Sequence, residues 1–418
     1  MAFGVGPGGT SWSVMRTLKE IDKWIANINA NMNNCTKIGY KANLTSFSGG
    51  TTFSRINPSN PQDILQIPEQ GLKYSSSMYW GQGEIVNSSS DTHLAVDGQG
   101  MFMYYDVQGN VYYSRDGECH RDEYGFLRNK DGMYLMDVAM AINTGLYNPG
   151  NPTVAEINAD STGWRKSTGS MWFPYVPGTK YNEGNGTYQH QTINIKKVFF
   201  NDNANATGTL TIRSDNRSYV VVNGHILTAA DVIAGMNPPT DGSWLGQFTT
   251  YNITPYLRIG ANVIGAQVTE VDGGEIVQIS GDIDGKPITS DTTWAVEINP
   301  TYTGGSWITQ ADADRICSFK SSEIVLARFG DPSKELEFSP YGTTIWERTS
   351  TTYTPTISLP KQNGMGEIID HALEKSNITS QQLINELASA EKLYTSLAKI
   401  VEACNIMKDA LLNATQVK

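Results

Sequence analysis

Apolar residues recur at helical spacing at the two ends of the chain and at strand spacing through its middle. Near the start, Met15, Leu18, Ile21, Ile25, Ile28 and Met32 follow one another at intervals of three and four. That spacing puts them on one face of a helix of about five turns. The stripe ends in Asn33-Asn34-Cys35-Thr36-Lys37-Ile38-Gly39, polar residues closed by a glycine stop. At the other end, Leu383, Leu387, Ala390, Tyr394, Leu397, Val401, Cys404 and Leu411 alternate steps of four and three. This is a heptad-like seam of about four repeats, the pattern of a coiled coil. Lys408 breaks it, with Met407 as the apolar substitute one position earlier. Thr379 or Ser380 can cap this helix, and neither Pro nor Gly interrupts residues 377–418. An amphipathic helix must bury its stripe. The simplest partner for each helix is the other, which brings the two ends of the chain together. The stripes fit a helical hairpin within one molecule and also helices that pack on neighbouring copies.

Between the helices the pattern changes. In residues 93–145, short apolar runs (His93–Val96, Met101–Tyr105, Val111–Arg115, Phe126–Arg128, Met133–Met136) are separated by turns such as Asp97-Gly98-Gln99-Gly100, Gly109-Asn110 and Asp116-Gly117. Strands joined by Gly-containing turns predict a β-meander. From about 150 to 300, Ile193–Ile195, Gly208–Arg213, Tyr219–Val222 and Ile264–Val268 read as strands set apart by Gly, Asn and Pro clusters. They predict an all-β sandwich long enough to be an inserted domain.

Composition narrows what such a chain does. Its 418 residues carry 31 Lys and Arg against 42 Asp and Glu, a formal net charge of −11. That acidity would repel phosphate, so neither nucleic acid nor an anionic membrane surface is an expected partner. No apolar run approaches the length of a membrane span. The N-terminus lacks a charged region followed by an apolar one, so no cleavable secretory signal is expected. The cysteines, Cys35, Cys119, Cys317 and Cys404, fit no C-x-x-C spacing and read as unpaired thiols. A Cys35–Cys404 bridge is conceivable only if the chain ends meet. None of the histidines (His93, His120, His190, His225, His371) sits in a zinc or nucleophile motif, and no phosphate loop is present, so no enzyme activity and no cofactor are expected. Asp202, Asp215 and Asp241 lie among loop residues and read as solvated surface in preference to a calcium site. Trp164, Trp172 and Trp244 read as core aromatics. A glycan contact, were there one, would use Trp172 and Trp244.

Residues 94–135 contain Gly98-Gln99-Gly100-Met101-Phe102, then Tyr113-Ser114-Arg115-Asp116-Gly117, then Asp122-Glu123-Tyr124-Gly125-Phe126-Leu127. In this order they resemble the signature of the bacterial flagellar hook and rod axial proteins. The resemblance continues upstream in Ile25-Ala26-Asn27-Ile28-Asn29-Ala30-Asn31 and Thr36-Lys37-Ile38-Gly39-Tyr40-Lys41. Downstream it continues in Ile324–Pro332, Gly364–Ile368 and Leu373-Glu374-Lys375-Ser376-Asn377-Ile378. It spans the first 145 and last 100 residues. The chain departs from the family where Met101 replaces the usual Phe, where Ala390-Glu391-Lys392-Leu393-Tyr394 lacks a Gln-Arg pair, and in its Gly-rich leader. Separately, Ser214–Gly224 and Tyr251–Ile264 resemble galactose-binding-like jelly rolls, a likeness that speaks to fold and less to sugar binding.

The resemblance implies a mainly β protein with long terminal α-helices. Its terminal helical coiled-coil domain would comprise 1–45 and 372–418, its discontinuous β-rich core 46–148 and 306–371, and its inserted outer β-sandwich 149–305. It also implies a structural subunit that polymerises with itself into a helical tube, transmits torque and passes exported subunits. Its other partners would be adjacent axial and junction proteins and the flagellar export machinery. Hook is the first reading, on the size of the insertion. A distal-rod protein, at the periplasm-spanning part of the flagellum, and a surface carbohydrate-binding protein are the alternatives.

Overall fold

Chain ends that are far apart in sequence are joined in space by strand pairing before any helix is considered. The computed structural model describes residues 7–49, 52–57, 60–68, 72–149, 165–166, 191–214, 217–235, 248–270, 277–290, 293–299, 308–318 and 323–415. Among these, a nine-stranded antiparallel sheet runs in the order Leu336–Phe338, Ile345–Arg348, Val111–Ser114, Met101–Tyr105, Tyr134–Leu135, Leu127–Arg128, His120–Arg121. Leu326–Arg328 also pairs with Met101–Tyr105 and with Thr356–Ser358. Trp346 faces Tyr113 and Leu326 faces Phe102, so the sheet interleaves strands from both sides of the 150–300 stretch. Two ribbons repeat the arrangement: Leu94–Asp97 pairs Glu367–Asp370, and Ile85–Asn87 pairs Ala372–Glu374.

The expected meander is present, with strands at Leu94–Asp97, Met101–Tyr105, Val111–Ser114, Leu127–Arg128 and Tyr134–Leu135. Two hairpins upstream of it, Asn43–Gly49 with Leu72–Met78 and Thr52–Asn57 with Asn60–Pro68, extend the β structure towards the first helix. That helix, α1, spans Pro7–Asn34 and so begins two turns before the apolar stripe. Among the described residues three short α-helices follow: α2 (Val138–Asn143), α3 (Gln310–Cys317) and α4 (Pro332–Glu335). The last, α5, spans Ser380–Thr415. Its start is a capping box. The Gln382 amide donates to Thr379 Oγ1 at 3.3 Å, while Gln382 Oε1 accepts from the Thr379 amide at 2.9 Å.

A six-stranded antiparallel sheet, built from strands in 191–299 with Arg165–Lys166 at its edge, and a five-stranded one from the same stretch share one apolar cluster. Ile193, Ile195, Val220, Val222, Ile264 and Val268 come from the first and Leu210, Ile212, Tyr251, Val277 and Ile279 from the second. The other face of the six-stranded sheet, through Val198, Val221, Ala261 and Val263, joins the apolar cluster of the nine-stranded sheet with α2 and α3 between. Tyr134 Oη accepts from the Ala261 amide at 3.1 Å, and the Arg258 guanidinium lies 3.5 Å from the centroid of the Tyr124 ring. The nine-stranded and six-stranded sheets are thus continuous in packing.

Burial has a pH consequence. It pushes the Tyr251 hydroxyl and the Cys119 thiol up to about 12 and raises Tyr104 well above its ordinary value. In the unfolded chain these groups ionise near ~10 for tyrosine and ~8.5 for cysteine. The folded state therefore retains protons that the unfolded state loses, and the associated stability is complete below pH ~8.5 and falls as pH rises towards ~12. The urea midpoint is expected to be clearly lower at pH 11 than at pH 8. Equal midpoints would contradict these burials.

Candidate functional site: a helix pair and its buried anchor

Helices α1 and α5 run antiparallel. Trp24 Nε1 donates to Glu386 Oε1 at 2.6 Å, and the Trp24 ring packs edge-on against Phe47 at 5.1 Å. Ile28, Leu383, Ala390, Tyr40, Ala42 and Ile378 form the buried centre, with Ile25, Met32, Cys35 and Leu387 around them. The stripes of the two helices are unevenly covered. Ile21, Ile28, Leu383, Ala390 and Cys404 are buried, while Leu18, Ile25, Met32, Leu387, Leu397 and Val401 are half-buried. Met15, Tyr394 and Leu411 are exposed, and so is Met407, which does not take the place of Lys408 in the seam. The reason is geometric: one antiparallel partner covers about one face, and the apolar residues of α5 spread over more than one.

The ends of the chain meet, but the antiparallel direction separates Cys35 from Cys404. Cys35 lies in the cluster near Leu383, whereas Cys404 lies some 18 residues beyond Glu386 along α5. At ~1.5 Å per helical residue the 21 residues from Leu383 to Cys404 put the two thiols roughly 30 Å apart, and all four cysteines are free.

Two asparagines fold the chain back against α1. Asn27 Nδ2 donates to the Asn43 carbonyl at 2.7 Å and Asn31 Nδ2 to the same oxygen at 2.8 Å. Asn31 Oδ1 accepts from Tyr40 Oη at 2.9 Å and from the Asn43 amide at 3.0 Å. Asn31→Ala strands these buried groups and is expected to cost about 1–3 kcal/mol in denaturant unfolding. Asn29→Ala, at an exposed position, is expected to stay within about 0.5 kcal/mol.

Below the helix pair lies a cluster of buried charges. The ribbon strand Ala372–Glu374 delivers the Glu374 carboxylate, fully buried, to two cations. Glu374 Oε1 accepts from Lys41 Nζ at 2.5 Å and from the Gly83 amide at 2.8 Å. Its Oε2 accepts from Arg115 Nε at 2.6 Å. The rest of the Arg115 fork is spent on carbonyls, with Nη1 donating to Gly98 and Gly100 and Nη2 donating to Val96. Lys41 also donates to the Gly81 carbonyl at 2.9 Å. Burial pushes the Lys41 ammonium below its ordinary value, against the pull of Glu374. The cluster ties the exit of α1, the Gly98–Gly100 turn and the entry to α5 at one point.

The remaining motif residues surround this point. Asn377 Nδ2 donates to the Tyr79 and Gly81 carbonyls, and its Oδ1 accepts from the Ala42 amide at 2.8 Å. Ser376 Oγ accepts from the Ile378 amide at 3.3 Å, and Leu373 is buried. Phe102 is fully buried and Tyr113 meets Phe329 edge-on at 4.8 Å. Gly117 is required by close approach, since a Cβ there would overlap the Leu94 carbonyl. Gly39, at φ +70, sends its amide to the Glu374 carbonyl at 2.7 Å. Gly125 sits in an open turn at φ +87, away from the anchor. Trp24 and Glu386 are absent from the candidate residues read from sequence, and Lys41 stands there only as the last residue of a motif string. A single lysine in a turn gives no sign that it is buried, and a polar helix position gives none that it bonds across 362 residues.

Trp164, Trp172, Trp244, Asp215 and Asp241 lie outside the described residues. Asp202 is exposed, and no group of three metal-ligating side chains occurs among the described residues.

The sequence profile of the "Flagellar hook protein FlgE/F/G D1 domain" matches residues 95–164, the stretch that supplies Gly98, Gly100 and Arg115 to the anchor. The chain is 24% identical over 389 residues to the flagellar hook protein FlgE of Brucella suis biovar 1, an alignment covering 92% of this chain and 93% of that one. It is 21% identical over 421 residues to the flagellar hook protein FlgE of Rhizobium meliloti, covering 93% and 94%. Among solved structures, a rhamnosidase of Bacillus sp. GL1 aligns with 27% of this chain and 13% of its own at 22% identity and a TM-score of 0.21, a likeness too slight to carry an argument.

Proposed function

We propose that this chain, a member of the flagellar hook and rod axial-protein family, is a structural subunit of the flagellar hook. The match to hook proteins along nearly their whole length supports hook over rod. The observation that carries the self-assembling role is the far end of α5. There Ile406 is 63% exposed, Leu411 56% and Met407 51%, on a helix whose nearer end is buried against α1. Such side chains gain burial only against another chain, and a tube of identical subunits supplies it by heterologous contacts.

In this reading the terminal segments (1–45 and 372–418), through their helices α1 and α5, line the innermost tube as a coiled-coil layer. The β-rich core (46–148 and 306–371) forms the next shell. The insert (149–305), a sandwich of the two sheets, projects outermost. The subunit travels through the flagellar channel by the export apparatus to the cell exterior and abuts other axial and junction proteins. The anchor at Glu374 holds the helix pair at a fixed attitude to the core, as torque transmission between shells requires.

The test is a variant with Ile406→Ser, Met407→Ser and Leu411→Ser. Each side chain contributes roughly 1 kcal/mol if buried from about half exposure. The critical concentration for tube formation, read by sedimentation, is expected to rise at least about tenfold with the monomer's urea midpoint unchanged. Assembly at the wild-type concentration would remove the basis of the reading.

A further inference from the structure

A cavity of about 130 Å³ lies beside the anchor, lined among others by Lys41, Arg115, Arg328, Trp80, Gln82 and Gln99. Three of these side chains are cationic. Lys41 and Arg115 are both more than nine-tenths buried and share one carboxylate, Glu374. Arg328, half-buried on the strand Leu326–Arg328, has no carboxylate partner among the described residues. Three cations against one carboxylate leave an excess of two positive charges around a cavity whose lining is about half apolar. The carboxylate of Asp97, which accepts from Gln82 Nε2 at 3.0 Å, is exposed and outside the lining. Lys41 Nζ spends two of its three protons, on Glu374 and on the Gly81 carbonyl, and keeps one.

Uncompensated buried charge is costly, and proteins relieve it with a counter-ion or a hydrogen-bonded partner. The volume equals roughly four waters at ~30 Å³ each, room for one small oxyanion. Gln82 and Gln99, both exposed, mark where the cavity meets solvent. We propose that this cavity binds a small oxyanion, with the Arg328 guanidinium as its main ligand and the free Lys41 proton as a second donor. The planar fork of Arg328 suits two oxygens of such an anion. A bound anion would neutralise the joint between the terminal helices and the core.

The probe is inorganic phosphate, titrated by calorimetry into the full chain kept below its assembly concentration, with sodium chloride at matched ionic strength as control. Saturable heat and a rise in Tm with phosphate, both missing with chloride, are expected. Binding is expected to weaken at least about tenfold in Arg328→Gln and by less in Arg328→Lys, which keeps the charge and loses the fork. Gln99→Glu puts a carboxylate on the exposed lining, leaves the core untouched, and is expected to weaken binding to the same degree. A heat that chloride reproduces, the absence of any saturable heat, or binding unchanged in both Arg328→Gln and Gln99→Glu (an adventitious ion only) overturns the proposal.

Discussion

Glu374→Ala is expected to destabilise the monomer by about 3–5 kcal/mol, the cost of leaving buried cations without their counter-charge. Lys41 and Arg115 would both keep their burial and lose the one carboxylate they share. The loss should be specific to charge. Glu374→Gln retains the shape and one acceptor oxygen, yet still leaves two cations facing a neutral group, so it is expected to recover only part of the stability. The partner test is the double variant Lys41→Met, Glu374→Met. It strands one buried cation, Arg115, where Glu374→Ala strands two, so it is expected to lie closer to wild type than Glu374→Ala does. Urea unfolding of the four proteins decides this. Equal stabilities for Glu374→Ala and wild type would mean that the cluster is not closed in solution.

Removal of residues 380–418 is expected to abolish tube formation. The deletion takes away α5 entirely, uncovers Ile28 and the Trp24 face of α1, and deletes Ile406, Met407 and Leu411. The core should survive it. Its strands pair Leu94–Asp97 with Glu367–Asp370 and Ile85–Asn87 with Ala372–Glu374, all upstream of the cut. Electron microscopy should then show no tubes at any concentration, while circular dichroism retains the β signal. Tubes formed by the truncated chain would place assembly in the β shells instead.

The meander was readable because each turn announces itself. Asp97-Gly98-Gln99-Gly100 and Gly109-Asn110 need backbone conformations that glycine supplies, and the runs between them are apolar and aromatic. The terminal helices were readable from their stripes, but the direction in which they pair was not. A stripe fixes a face and says nothing about orientation, which is why a Cys35–Cys404 bridge looked conceivable. Helix α2 gave no periodic signal because Val138, Ala139, Met140, Ala141 and Ile142 are all buried. Helix α3 did carry a signal, the capping box of Thr309 and Asp312. The anchor was visible only as separate strings around Lys41, Arg115 and Glu374. What joins them is a contact between Lys41 and Glu374 across 333 residues, and no local pattern encodes such a distance.

In the proposed tube of identical subunits, the two terminal helices form one inward-facing pair, anchored through Glu374 to the β core. Electron cryo-microscopy of tubes assembled from the full chain tests it most directly. The expected map is a hollow tube with α1 and α5 at the smallest radius, antiparallel and with Trp24 against Glu386, and with the 191–299 sheets at the largest radius. A tube lined by those sheets, or one in which α1 and α5 of the same subunit lie apart, would contradict it.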